Sequence, residues 1–126
     1  MPGKRILVVE DDADVGDLLM HVLRSAGYSV DLARTVAQAK RHLSQHGYGL
    51  VVTDWRLPDG DGMTIANQAI RQGLKTALLT GYALQMARDK AEHYEVWMKP
   101  MRPSELIAAV ERCIGEADGQ LNQTAN

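Results

Sequence analysis

One stretch constrains the fold more than any other: a largely apolar run at residues 50–53 that ends in Asp54 and then breaks into a loop rich in proline, glycine and aspartate at 55–62. A short apolar run bounded by turn signals is typical of a buried strand. Because the last residue of such a strand lies at the rim of a sheet, the Asp54 carboxylate is expected to be held rigidly and to stay within reach of solvent. The alternative is that Asp54 only caps the strand or the next helix.

Apolar runs of this kind recur along the chain and alternate with segments of helical periodicity. Besides the run ending at Asp54, strands are predicted at 4–10, 28–33, 74–80 and 95–99. Apolar residues at helical spacing predict helices at 13–26, 35–45, 62–72, 84–93 and from Pro103 to Ile114. Because the strands are almost continuously apolar, both faces of their sheet must be covered. That requires a parallel α/β sheet with right-handed crossovers.

The residues that end these strands are polar. Acids follow the first strand at 10–12, and Asp54 ends the central one. Thr80 ends the fourth strand and Lys99 the fifth. In open α/β sheets, ligands bind outside the carboxyl ends of the strands, where the strand order reverses. We therefore expect these groups to share one site.

The chemistry of this set points to phosphoryl transfer. Clustered carboxylates repel one another unless they hold protons or a cation lies among them. Ligation by carboxylate oxygens, with room left for water, suits Mg²⁺. Such a metal would screen the charge of an incoming phosphoryl group, whose oxygens the ammonium of Lys99 and the hydroxyl of Thr80 could contact. Asp54 is a candidate nucleophile, because carboxylates form acyl phosphates in phosphoryl-transfer chemistry.

Four motifs, in this order and at these spacings, resemble the receiver domain of two-component response regulators: VVEDD at 8–12, VVTDWRLPDGDGM at 51–63, LLTGYA at 78–83 and WMKP at 97–100. The resemblance covers residue 4 to about 115. It implies a flavodoxin-like (βα)5 three-layer sandwich with a five-stranded parallel sheet in the order 2-1-3-4-5.

The resemblance also assigns roles to the acidic residues. It makes Asp54 the phosphoacceptor and Glu10 with Asp11 the acid pair. Asp11, Asp54 and the backbone carbonyl of Arg56 would hold Mg²⁺ directly, with Mn²⁺ as a substitute, and Glu10 would act through water.

The remaining rim residues match the family with one departure. Thr80 and Lys99 match the switch hydroxyl and the phosphate-binding lysine, and Pro100 matches a proline that is often joined by a cis bond. Many relatives have Tyr or Phe three residues before the lysine. Val96 stands there in this chain, which puts the usual aromatic relay in doubt. Glu10 replaces the Asp of many relatives and should only shift the water bridge.

Three further residues are predicted to tune the site. Arg56 and Tyr82 lie two residues after the phosphoacceptor and the switch hydroxyl, so both should overhang the phosphoryl group. Gly81 should leave the approach sterically open.

The leading functional interpretation is a signalling switch, not an enzyme with a turnover role. It would take a phosphoryl group from a phosphohistidine of a sensor histidine kinase or a histidine phosphotransfer protein. The resulting conformational change would control a downstream protein, or a homodimer, through the face formed by residues 84–115.

Two other classes fit less well. Phosphatases and mutases with an aspartyl nucleophile generally need a second Asp two positions later, where Arg56 stands, and a cap over the substrate. A pseudo-receiver, which is not phosphorylated, is disfavoured because Asp54, Asp11, Thr80 and Lys99 are all present.

Composition supports one domain without a nucleic-acid or membrane role. The 126 residues carry a net charge of −2, whereas a nucleic-acid surface needs a basic excess. The apolar run after Lys4 and Arg5 is too short for a signal sequence or a membrane span. A single cysteine, Cys113, suits a reducing compartment, so a cytoplasmic domain is expected. We expect the receiver unit at 1–115 and a polar, disordered tail or the start of a linker at 116–126. Whether the chain stands alone or is part of a longer regulator stays open.

Other polar residues have simpler interpretations. Asp12, Asp59 and Asp61 are expected in loops and at helix starts rather than as ligands. His42 and His46 share a helical face and could bind a metal, but a solvated face is preferred because the sequence shows no obvious third ligand.

Overall fold

The apolar runs of the sequence lie side by side in one parallel sheet. The computed structural model describes residues 4–81 and 94–115. Its elements, in chain order, are β1 (Arg5–Val9), α1 (Ala13–Ser25), β2 (Ser29–Ala33), α2 (Val36–Gln45), β3 (Leu50–Asp54), β4 (Arg56–Leu57), β5 (Gly60–Asp61), α3 (Gly62–Arg71), β6 (Lys75–Thr80), β7 (Glu95–Met98) and α4 (Pro103–Ile114). Five strands form the main sheet in the order β2-β1-β3-β6-β7, and every pairing is parallel. The predicted order 2-1-3-4-5 is confirmed, since β6 and β7 are the fourth and fifth strands of this sheet.

Each face of the sheet packs against helices through its own apolar cluster. Because side chains alternate along a strand, Ile6 and Val8 of β1 contribute to one cluster, and Leu7 and Val9 contribute to the other. The first cluster includes residues of α1 and α4, and the second includes residues of α2 and α3. Fully burying one Val, Leu or Ile side chain contributes about 1.5–3 kcal/mol. Burial on both faces therefore explains why these strands are apolar at nearly every position.

Aspartates begin two of the helices, as predicted. Asp12 Oδ1 accepts a hydrogen bond from the backbone N–H of Val15 at 3.1 Å, at the start of α1. Asp61 Oδ1 accepts from the N–H of Met63 at 2.7 Å, at the start of α3. Both carboxylates satisfy N–H groups that have no partner inside the helix.

Asp59 caps a helix that is distant in sequence. Its carboxylate accepts from the backbone N–H groups of Val36 at 2.7 Å and Ala37 at 3.1 Å. These bonds, led by the one from Val36, lower the pKa of Asp59. The loop after β3 is thereby tied to the first turn of α2.

Thr35 and Gln38 have the spacing of a capping box, but only half of that box is formed. Thr35 Oγ1 accepts from the N–H of Gln38 at 3.1 Å, but Gln38 Oε1 accepts from the N–H of Arg34 at 2.8 Å instead of from Thr35. The glutamine side chain therefore stabilises the residue before the cap.

Several boundaries differ from the sequence prediction. The segment predicted as a plain loop after Asp54 contains the short strands β4 and β5, which pair antiparallel. Glu10 lies just beyond β1, and Lys99 just beyond β7. The helix predicted at 84–93 and the tail predicted at 116–126 lie outside the described residues. In the part of the chain that is described, no helix is both long and apolar enough to cross a membrane.

Candidate functional site

The register of the sheet brings the polar strand ends together. Glu10 follows the β1 residue that pairs with Thr53, so it lies beside Asp54. Thr80 follows the β6 residue that pairs with Asp54. Lys99 follows the β7 residue that pairs with Thr80. These residues therefore lie near one another at the same edge of the sheet: Glu10, Asp54, Thr80 and Lys99.

Three carboxylates form a cluster at this edge. One oxygen from each of Glu10, Asp11 and Asp54 lies within 4.8 Å of the other two. The three differ in exposure: Glu10 is 1% exposed, the Asp54 side chain is 14% exposed, and Asp11 faces solvent. The cluster thus runs from the interior of the protein to its surface.

Lys99 bridges two of these acids. Its Nζ lies 2.6 Å from Oε1 of Glu10 and 3.2 Å from Oδ2 of Asp54. Burial opposes the charge on Lys99, but its contacts with the two carboxylates outweigh burial and raise its pKa. In this structure the lysine neutralises carboxylates, a partner set that sequence reasoning missed when it paired Lys99 with phosphoryl oxygens alone.

The pKa of Glu10 is shifted by its surroundings. Burial, together with the neighbouring Asp54, raises the pKa of Glu10 from its ordinary value of 4.5 to about 7. Lys99 acts in the opposite direction but does not outweigh them. Oε2 of Glu10 also accepts a hydrogen bond from the N–H of Asp12 at 3.3 Å. The carboxyl group is therefore fixed in position but poorly solvated.

An open cavity of about 440 Å³ lies over the cluster. It is lined by Asp11, Asp54, Trp55, Arg56, Thr80, Gly81 and Lys99. Glu10 does not line this cavity, but it contacts Lys99, which does. Trp55 lies at the edge of this cavity, and the buried Thr80 lies at the cavity wall.

The residues predicted to tune the site are placed in part. Arg56 lines the cavity, and a Cβ atom added to Gly81 would meet no atom within 4 Å, which agrees with an open approach. Tyr82 lies outside the described residues. The bond between Lys99 and Pro100 is cis.

The backbone around Asp54 is held by contacts that sequence reasoning did not identify. The N–H of Gly62 donates to the carbonyl of Trp55 at 2.6 Å, and Thr53 Oγ1 donates to the carbonyl of Asp54 at 3.0 Å. A Cβ atom on Gly62 would lie 1.8 Å from the carbonyl oxygen of Asp54. Only glycine allows this approach, and the sequence carried no signal for it beyond the presence of a glycine in the loop.

The donor set fits a hard divalent cation. Glu10, Asp11 and Asp54 offer only carboxylate oxygens, and one of the three faces solvent, where water can complete a coordination shell. Oxygen ligands and retained water are what Mg²⁺ requires. An ammonium group and a hydroxyl stand at the same cavity, so the arrangement suits an anionic substrate with several oxygens.

A family model described as the response regulator receiver domain matches residues 6–111. The chain belongs to this family. The resemblance drawn from the four motifs is therefore confirmed, and the receiver domain is a signalling module of two-component systems.

Relatives of known role support the assignment. The receiver domain is 34% identical over 130 residues to the swarming motility regulation protein RssB of Serratia marcescens, covering 94% of this chain and 57% of RssB. It is 33% identical over 116 residues to the response regulator receiver protein CpdR of Brucella abortus, covering 88% of this chain and 97% of CpdR. The chain thus spans little more than half of RssB but almost all of CpdR.

Solved structures share the fold. The non-phosphorylated HemR receiver domain from Leptospira biflexa superposes with a TM-score of 0.80 at 34% identity, over 87% of this chain and 93% of that one. The response regulator TrrA from Thermotoga maritima, in complex with Mg²⁺-BeF, superposes with a TM-score of 0.78 at 29% identity, over 87% of this chain and 98% of TrrA.

Proposed function

We propose that this receiver domain accepts a phosphoryl group on Asp54. The observation that carries the proposal is the convergence of Asp54, Asp11, Thr80 and Lys99 at one open cavity, with Glu10 in contact with Lys99. Asp54 is the best candidate nucleophile, because it ends a central strand, lines the cavity, and has a backbone fixed by its neighbours.

In the proposed reaction, a carboxylate oxygen of Asp54 attacks the phosphorus atom of a phosphohistidine. The new O–P bond forms as the P–N bond breaks, and the imidazole leaves with the electron pair of that bond. Lys99 Nζ, now 3.2 Å from Oδ2 of Asp54, is near enough to contact an oxygen of the transferred group. Thr80 stands at the cavity wall to donate a hydrogen bond to another oxygen.

Asp11, Asp54 and the carbonyl of Arg56 would hold Mg²⁺, or Mn²⁺ in its place, with Glu10 acting through water. When bound, the ion would supply positive charge that offsets the repulsion between these acids and the incoming phosphoryl group. The oxygen-only donor set supports this assignment, as does the solved Mg²⁺-BeF complex of the relative TrrA.

The phosphoryl donor would be a sensor histidine kinase or a histidine phosphotransfer protein in the cytoplasm. We propose residues 1–115 as the receiver unit, and 116–126 as a tail or the start of a linker. The phosphorylated domain would act as a switch by changing its affinity for a downstream protein or for a second copy of itself, through the face at 84–115.

The test is phosphorylation by acetyl phosphate or phosphoramidate with Mg²⁺, followed by intact-mass spectrometry. The wild-type protein should gain one acid-labile phosphoryl group, and Asp54→Asn should gain none. Asp61→Asn is the matched control, because asparagine caps a helix as well as aspartate does and should leave labelling intact. Equal labelling of Asp54→Asn and wild type would refute the assignment.

A further inference from the structure

A second cluster of metal-binding groups lies on the α2 side of the sheet. A carboxylate oxygen of Asp31 and a ring nitrogen from each of His42 and His46 all lie within 4.8 Å of one another. The sequence showed the histidine pair but no third ligand. The fold supplies one from a different element, because Asp31 lies on β2, the edge strand beside β1.

The positions of these residues follow from the alternation of side chains along a strand and from the spacing of residues along a helix. Val30 and Leu32 pack into the cluster shared with α1, so Asp31 between them points to the opposite face, towards α2. His42 and His46 lie one helical turn apart. The N–H of His46 still donates to the carbonyl of His42 at 3.0 Å, which keeps the helical spacing to the end of α2, and the two ring centroids are 6.2 Å apart.

Asp31 is oriented by two neighbours that bind only one of its oxygens. Oδ2 accepts from the hydroxyl of Tyr48 at 2.7 Å and from Nε of Arg5 at 2.9 Å. Within residues 4–81 and 94–115, no hydrogen bond or ion pair involves Oδ1, so this oxygen can face a cation. The bonds from Tyr48 and Arg5 fix the orientation of the Asp31 carboxylate.

Tyr48 links the carboxylate to the histidines. Its hydroxyl oxygen lies 2.7 Å from Oδ2 of Asp31 and 3.4 Å from Nδ1 of His42. A group that contacts two ligands in this way is typical of the outer shell of a metal site, where it fixes the ligands in place.

We propose that Asp31, His42 and His46 bind a late first-row divalent cation, with Zn²⁺ as the probe. Two imidazoles and one carboxylate, with water in the fourth position, form a donor set that suits Zn²⁺. Mg²⁺ is excluded from this role because it requires oxygen ligands. The positively charged guanidinium of Arg5 lies beside Asp31 and would repel a bound cation. The affinity should therefore be lower than that of closed structural zinc sites.

The experiment is calorimetric titration of the full chain with Zn²⁺ at neutral pH, with excess Mg²⁺ present to occupy the acid cluster. The wild-type protein should bind one Zn²⁺. His46→Gln changes an exposed side chain and should fold normally, and it should weaken binding at least about tenfold. Asp31→Asn should have a similar effect. Tyr48→Phe keeps all three ligands but removes the outer contact, and it should weaken binding by about tenfold or more.

The control is the double variant His21→Gln/His93→Gln, which removes the other two histidines of the sequence and should bind Zn²⁺ as the wild type does. In imidazole ¹⁵N–¹H spectra, Zn²⁺ should shift the signals of His42 and His46 and leave His21 unchanged. Unchanged affinity in His46→Gln, or loss of binding in the double variant, would overturn the proposal.

Discussion

Glu10 offers the sharpest test of the electrostatics of the site. Without a divalent ion, two adjacent carboxylates, Glu10 and Asp54, share one ammonium group, that of Lys99. Replacing Glu10 by glutamine removes one negative charge and keeps the size of the side chain. The amide can still accept a hydrogen bond from Lys99 and donate one to Asp54. The variant should therefore remove the buried negative charge and keep the contact with Lys99.

The sign of the effect follows from proton binding. The pKa of Glu10 is 4.5 in the unfolded chain and about 7 in the folded protein, because burial and Asp54 disfavour its charge. Between these values the folded protein holds a proton that the unfolded chain has lost. The free energy of unfolding of the wild type therefore falls as pH rises through this interval, and the loss is complete above about pH 7. The amide side chain in the Glu10→Gln variant does not titrate, so the variant escapes this loss.

The size of the effect follows from the same interval. A difference of one pH unit corresponds to about 1.4 kcal/mol, so the interval from 4.5 to about 7 corresponds to about 3 kcal/mol. Relative to wild type, Glu10→Gln should be near neutral at about pH 5 and more stable at about pH 8, by up to about 3 kcal/mol.

Urea unfolding in EDTA at the two pH values measures this difference. Glu111→Gln, which neutralises a carboxylate on α4 away from the cavity, is the control for removing a surface carboxylate. With saturating Mg²⁺ the order should reverse at the higher pH, because the wild-type carboxylate then gains a cation. A stability difference between Glu10→Gln and wild type that does not depend on pH in EDTA would refute the argument.

Four further predictions concern the site and the residues around it. Gly62→Ala should destabilise the domain by about 3 kcal/mol or more, because its Cβ would overlap the carbonyl of Asp54. Gly81→Ala, with open space at Cβ, should be within about 0.5 kcal/mol of wild type in the same urea assay. Arg56→Ala should change the lifetime of the phosphorylated domain several-fold with little effect on Mg²⁺ affinity, as measured by phosphate release; an unchanged lifetime would argue against tuning by this residue. Beryllofluoride should alter hydrogen exchange within 81–98, and changes confined to the acid-bearing loops would exclude that face as the output.

The sheet was predictable because its strands are buried on both faces. Ile6 and Leu7 point in opposite directions and are both fully buried, so the sequence has to be apolar at consecutive positions. The strands β4 and β5 were not predictable, because each has only two residues, too few to show the alternation of apolar and polar side chains that is typical of a strand. Asp59 was recognised as a loop residue, but its partner α2 was not, since that contact depends on tertiary structure.

The main groups of the site were predictable for a related reason. A polar residue directly after an apolar run lies at the end of a strand, and in a parallel sheet all such ends lie at one edge. Asp54, Thr80 and Lys99 could therefore be placed together from the sequence. The close approach of Gly62 to Asp54 could not, because glycine in a loop is also typical of an ordinary turn.

The contact between Lys99 and Glu10 depends on charge rather than pattern. A partly buried ammonium group needs an anionic partner in every state of the domain. Without a phosphoryl group, the nearest anions are Glu10 and Asp54, and Lys99 contacts both. A phosphoryl group on Asp54 would add oxygens that compete for the same lysine, and a bound cation would take over the neutralisation of the acids. The position of Lys99 is thus expected to depend on what occupies the cavity. The sequence pattern does not indicate whether the cavity holds a phosphoryl group or a cation. For that reason it identified Lys99 but not the partners of Lys99.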